Sequence, residues 1–157
     1  MINEEEMKSI ILPQYLVKTG LDGLAHILHV AHFGKLIAQK ECPYFLDEVL
    51  LGCYLHDIGR GRFGVGSHGD VGAEFAREIL AMYFPNTSVD WIVYSIKHHD
   101  KGKTTKDRTI GSVWDADRIS LWRLGKVPDL KRISTNTGKL LIPYAKKYIN
   151  EHRMEYN

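Results

Sequence analysis

Eight histidines and nineteen acidic residues are spread over 157 residues, and a few of them fall where they could do chemistry. Leu55-His56-Asp57-Ile58-Gly59 sets an imidazole beside a carboxylate at the close of an apolar run, Val49 to Leu55, that reads as a buried helix. A carboxylate withdrawn from water is costly unless it is met by a cation, a strong donor or a metal ion. His98-His99 closes a second apolar helix, His26 lies within a third, and Asp115 and Asp117 lie within a fourth. Facing helices of a bundle commonly hold a metal between them. Imidazole nitrogen mixed with carboxylate oxygen suits zinc, iron, manganese or nickel far better than calcium, which takes oxygen ligands.

Other residues offer supporting chemistry. At about 100° per residue His26 and His29 share a side of their helix while His32 sits well round from His26, so the three cannot serve one site. Gly59 to Gly66 holds four glycines in eight residues. Its backbone amides, with Arg60 and Arg62, could cradle a phosphate, or the loop could be a solvated connection. Asp100 to Arg108 is hydrophilic and mainly basic, and Lys101 and Lys103 stand next to the histidine pair.

Helical spacing predicts the elements that must position these groups. Residues 3–19 form a helix that Pro13 kinks or divides; others run over 24–40, 45–56, 68–82, 89–99 and 110–124, with a terminal amphipathic helix over about 138–152. No strand pattern or repeat is present, so the expectation is an all-α, single-domain bundle of about six to seven helices over residues 1–157. The formal net charge of +2 supplies no field for a nucleic-acid polymer or an anionic membrane and favours a small-molecule partner. Cys42 and Cys53 form no Cys-x-x-Cys pair and read as free thiols of a reducing compartment. The acidic start, Met1 to Glu6, is unlike a secretory leader, and no apolar run nears the ~20 residues of a membrane span. A cytoplasmic protein is expected. Tyr144, Tyr148 and Tyr156 on the tail are candidates to pack against a second copy in a homodimer.

The order His26, His56-Asp57 and then Asp117, within Asp115-Ala116-Asp117-Arg118-Ile119-Ser120, resembles the HD-domain superfamily of metal-dependent phosphohydrolases. The resemblance covers about residues 20–125. It rests on His26-Ile27-Leu28-His29-Val30, on His56-Asp57-Ile58-Gly59 and on Ala116-Asp117. It implies that His26, His56, Asp57 and Asp117 bind one divalent transition ion (manganese, iron, nickel or zinc), with Asp117 preferred over its rival Asp115. His68, His98 and His99 stand where the binuclear branch of the superfamily binds a second ion bridged by the aspartate. The Gly-Tyr-Pro element of the cyclic-dinucleotide branch is absent, which argues against that substrate. The implied activity is hydrolysis of a small phosphoester, a nucleotide first among them, with Asp57 and His98 or His99 catalytic. Arg60, Lys101, Lys103 and Arg118 are the implied phosphate contacts, Arg118 foremost because it adjoins the proposed ligand. Two alternatives stay open: a di-iron oxygenase of the inositol-oxygenase-like branch, and a non-catalytic nucleotide-binding regulatory module.

Overall fold

The computed structural model describes all residues, 1–157, and contains eight α-helices with short 3-10 turns between them and no strand. Helix α1, Glu4–Ile11, starts where the Asn3 side chain accepts from the Glu5 amide at 2.8 Å, with three glutamates in its first turn. Pro13 ends it, so the first helix stops well short of residue 19 and continues as a 3-10 turn. Helices α2, Leu24–Glu41, and α3, Leu46–Leu55, form the centre. Residues 49–55 of α3 are all buried, which is why its apolar run is continuous and not one-sided. Helix α4, His68–Tyr83, begins in a capping box in which Ser67 and Asp70 satisfy each other's backbone amides. Helix α5, Val89–His98, pairs with α4. Helix α6, Arg108–Ile119, starts at Asp107, whose carboxylate accepts from the Thr109 and Ile110 amides.

Helices α2, α3 and α6 pack together around the central core, with α5 against α3 and α6 and α1 against α3. Two glycines permit the close approaches. A Cβ on Gly34 of α2 would overlap the Cys53 sulfur of α3, and one on Gly52 would sit 2.8 Å from a Val113 methyl of α6.

The helix expected over 110–124 gives way at Ser120 to a 3-10 turn that ends at Gly125, whose φ is +71°. The single terminal helix expected over 138–152 is two, α7, Asn136–Leu140, and α8, Ile142–Glu151, because Pro143 starts a new helix. That division raises the count to eight. The tail tyrosines named as candidates to meet a second copy contact α2 of their own chain, and Tyr144 stays exposed there. Tyr156 is buried and its hydroxyl lies 2.6 Å from His29 Nδ1; Tyr144 reaches His32 Nε2 at 2.8 Å, and Tyr148 stacks on His32 with ring centroids 4.4 Å apart. No helix is long and apolar enough to cross a membrane.

Candidate metal centre

Two helix ends supply histidines. The last carbonyls of a helix lack intrahelical N–H partners, and at the end of α3 the His56 ring fills that role, Nδ1 donating to the Cys53 carbonyl at 2.7 Å. At the end of α5 His99 repeats the contact, Nδ1 to the Ile96 carbonyl at 2.6 Å. Nδ1 thereby keeps its proton, and each Nε2 is turned inward, where it can offer a lone pair to an ion once any proton of its own has left. His26 of α2 presents its Nε2 to the same space, with Ser120 Oγ 3.4 Å behind Nδ1. His68, the first residue of α4, is backed by Asp100, 3.6 Å from its Nδ1.

His26 Nε2 and His56 Nε2 lie 3.2 Å apart. Asp117 Oδ1 is 3.2 Å from the first and 3.4 Å from the second, and Asp57 Oδ2 is 3.4 Å from both. The other Asp57 oxygen, Oδ1, is 3.1 Å from His68 Nε2 and 3.2 Å from His99 Nε2, which are 3.0 Å from each other. One carboxylate thus joins two groups of donors.

These donors fit divalent transition ions. Atoms bound to one ion at its usual bond length of roughly 2.0–2.2 Å lie about 3.0–3.5 Å apart, the spacing in both groups. Asp57 Oδ2 is buried, and no hydrogen-bond donor is aligned on it. Lone pairs and carboxylate oxygens crowded together out of water require positive charge among them. The titration of the cluster says the same. Burial pushes His56 down, but the Asp57 and Asp117 carboxylates outweigh it and raise the imidazole to about 10. Burial likewise opposes ionisation of Asp57 and Asp117, yet the His56 charge beside them holds both well below the usual carboxylate range.

The way in from solvent is marked by partly exposed side chains. Asp117 is 20% exposed, His68 24% and Arg60 30%, while His26, His56 and Asp57 are buried. Arg60 Nε lies 3.1 Å from Asp57 Oδ2.

Glycines set the approach of the remaining ligand. A Cβ on Gly59 would fall inside the His68 carbonyl and against the Gly72 backbone, and one on Gly69 would meet the Lys97 carbonyl at 2.8 Å and Asp100 Oδ1 at 2.9 Å. The start of α4 can therefore reach the ends of α3 and α5 only because both positions lack a side chain. Gly59→Ala is expected to push His68 away from Asp57. Metal titration should then show binding at the His68–His99 donor group weakened by at least about tenfold, with any binding at the His26–His56 group changed little.

Several residues named from the sequence lie elsewhere. His98 is not brought to the donors; it packs on Tyr94, ring centroids 4.4 Å apart, and burial together with Lys101 and Lys103 lowers it from the usual histidine value. The pair could have been told apart by spacing. His99 falls three and seven places beyond the buried Ile96 and Ile92, whereas His98 falls four beyond the exposed Tyr94. Arg118 is engaged in structure: its guanidinium donates to the Lys103 and Arg132 carbonyls and lies over Trp114. Lys101 pairs with Asp70 at 2.9 Å, and Lys103 contributes its carbonyl to Arg118. Arg62 donates to the Gln14 and Ile58 carbonyls and covers Phe75, so it pins the glycine-rich loop. Of the basic candidates, Arg60 is the one beside the donors. His29 bonds Tyr156 and Glu155 and anchors the tail.

Asp115 is buried and accepts from the Ser134 amide and from the Thr135 amide and hydroxyl at 2.6–2.7 Å; burial still raises it. It ties α7 to α6, while Asp117 faces the histidines. Asp115→Ala is expected to lower stability by about 2–4 kcal/mol through the buried donors it strands. Chemical denaturation should show that loss with the metal content unchanged.

A family model described as "HD domain" matches residues 23–134. Among solved structures, the crystal structure of a predicted HD superfamily hydrolase from an uncultured Thermotogales bacterium matches with a TM-score of 0.72 and 21% identity, over 97% of this chain and 90% of that one. At that identity the likeness is one of fold. No curated protein matches the chain.

Proposed function

Because the chain belongs to the HD domain family of metal-dependent hydrolases, we propose that it hydrolyses a small phosphoester, a nucleotide before others, with two divalent transition ions held across Asp57. The observation that carries the reading is the division of one carboxylate between two donor groups: Oδ2 faces His26 and His56, and Oδ1 faces His68 and His99. Bound ions there would lower the pKa of a coordinated water toward neutrality and offset charge building on the phosphoryl oxygens. His26, His56 and Asp117 would hold one ion and His68 and His99 the other. In this reading His99 is a ligand and not a proton donor, since both its ring nitrogens are committed.

The remaining work falls to Arg60. Its guanidinium is partly exposed beside Asp57, and a planar fork of donors suits two oxygens of a phosphoryl group. Arg60→Gln is expected to raise KM roughly tenfold while leaving the metal content unchanged. Buried, unpaired Cys42 and Cys53 are in keeping with a cytoplasmic setting.

A bridging carboxylate with histidines on either side also serves di-iron oxygenases, and one experiment separates the two. Protein purified without chelator is analysed for metal, then assayed with manganese under anaerobic conditions against p-nitrophenyl phosphate, bis(p-nitrophenyl) phosphate and a panel of nucleotides. About two ions per chain and hydrolysis without dioxygen are expected; turnover that requires iron and dioxygen would sink the phosphoester reading.

A further inference from the structure

A closed circuit of polar contacts leaves the centre at Asp57, passes through residues outside both donor groups and returns at His26. It leaves Asp57 through Arg60, whose Nε is 3.1 Å from Oδ2, and reaches Asp22, whose Oδ1 is 3.7 Å from Arg60 Nη2. Asp22 Oδ1 also accepts from Arg123 Nη2 at 3.1 Å. Arg123 Nη1 donates to Ser120 Oγ at 3.2 Å, and Ser120 Oγ lies 3.4 Å from His26 Nδ1. His26 Nε2, 3.4 Å from Asp57 Oδ2, closes the ring.

A hydroxyl has one proton and two lone pairs. The proton of Ser120 goes to the Asp117 carbonyl at 2.6 Å, so toward Arg123 and His26 this oxygen can only accept. Its two lone pairs meet two donors, and His26 must carry its proton on Nδ1, which leaves Nε2 free to ligate. His56 and His99 receive the same constraint from backbone carbonyls. For His26 it comes from a side chain whose place depends on Arg123. Arg123 is buried and further fixed by the Leu21 and Ser120 carbonyls at 2.8 and 3.1 Å, and Asp22 is the carboxylate that meets its charge.

We propose that Asp22, Arg123 and Ser120 form a positioning unit: Ser120 orients the metal ligand His26, and Asp22 holds Arg60 where it can take a phosphoryl group. One carboxylate therefore couples a metal ligand to the anion-binding guanidinium. The Arg60 half rests on the phosphoester reading given above, while the His26 half does not. None of the three touches a reacting atom.

The test measures affinities of the full-length chain for zinc alone, by competition with a chromophoric chelator, and of the zinc-loaded protein for inorganic phosphate, by calorimetry. Ser120→Ala is expected to bind zinc about tenfold more weakly, as losing a ligand's hydrogen-bond partner commonly does, with phosphate affinity within twofold of native. Asp22→Asn is expected to weaken both, and Asp22→Glu, which keeps the charge, to bring both back within about threefold of native. Zinc affinity unchanged in Ser120→Ala overturns the His26 half. An Asp22→Glu deficit as large as that of Asp22→Asn overturns the role of the carboxylate. A native protein that takes zinc but no phosphate overturns the phosphoester reading together with the Arg60 half, and the zinc affinities alone then decide the rest.

Discussion

Asp57→Ala is expected to leave the chain without retained metal and to lower phosphoester hydrolysis by at least about a thousandfold, the scale on which removing a group shared by a whole catalytic assembly acts. The reason is its double engagement. Each of its oxygens lies within 3.4 Å of two imidazole nitrogens, so truncation removes a donor from both groups at once. The loss should not be one of folding. With Asp57 gone, the burial that opposes charge on His56 meets only the Asp117 carboxylate, and the imidazole can shed its proton instead of standing as an uncompensated buried ion. Circular dichroism should show a native helix content, and elemental analysis close to zero ions per chain. An Asp57→Ala protein that keeps its metal and turns over normally would refute the assignment of the centre.

The second large effect is on metal uptake and its dependence on pH. In the metal-free chain His56 titrates at about 10, so near neutrality an entering ion must displace its proton. Affinity at the four-donor site should rise by up to tenfold per pH unit, or about a hundredfold from pH 6 to 8, and calorimetry in buffers of different ionisation enthalpy should find about one proton released. The depressed Asp57 and Asp117 are already ionised over that interval and add no slope. Stability of the metal-free chain runs the other way. A raised histidine contributes stability that is fully present below its unfolded value near 6.5 and is lost as pH climbs toward 10. Loading with free metal a thousandfold above Kd should add about 4 kcal/mol, hence roughly 8–16 °C in Tm for a chain of this size. Differential scanning fluorimetry with and without chelator reads this directly, and a flat response of both affinity and Tm would mean that His56 is not held between the two carboxylates.

The helices and the central donors were legible because they rest on local signals. Apolar spacing located the helices, and adjacency of His56 and Asp57 at the close of the continuous apolar run Val49–Leu55 flagged a polar pair with nowhere to go but inward. His26 and Asp117 required the family resemblance as well, since a lone polar residue on a helix says little by itself. Arg118 is engaged away from the donors despite its nearness in sequence to Asp117: neighbours on a helix point about 100° apart, so the residue after an inward Asp117 turns away from it. Asp22 and Arg123 went unseen because 101 residues separate them, and no periodicity reports a contact at that range. The contacts of the tail tyrosines with α2 were hidden for a related reason, since His29 and His32 lie more than a hundred residues earlier.

The histidine that ends α3 does more than face the centre, for it also satisfies a carbonyl that its helix leaves open. This gives the chain a kind of inertia under mutation. A lineage that no longer needed the metal could not drift freely at His56, because replacing that imidazole by an apolar side chain would strand the buried Cys53 carbonyl at a cost of about 1–3 kcal/mol, whereas the Ile96 carbonyl beside His99 would keep the backbone amide of residue 99, 3.4 Å away. Asp117 has no such second duty through its side chain, and neither does His68. In a descendant that had lost the activity, those two would be the first to change, and His56 would persist as a fossil of the centre.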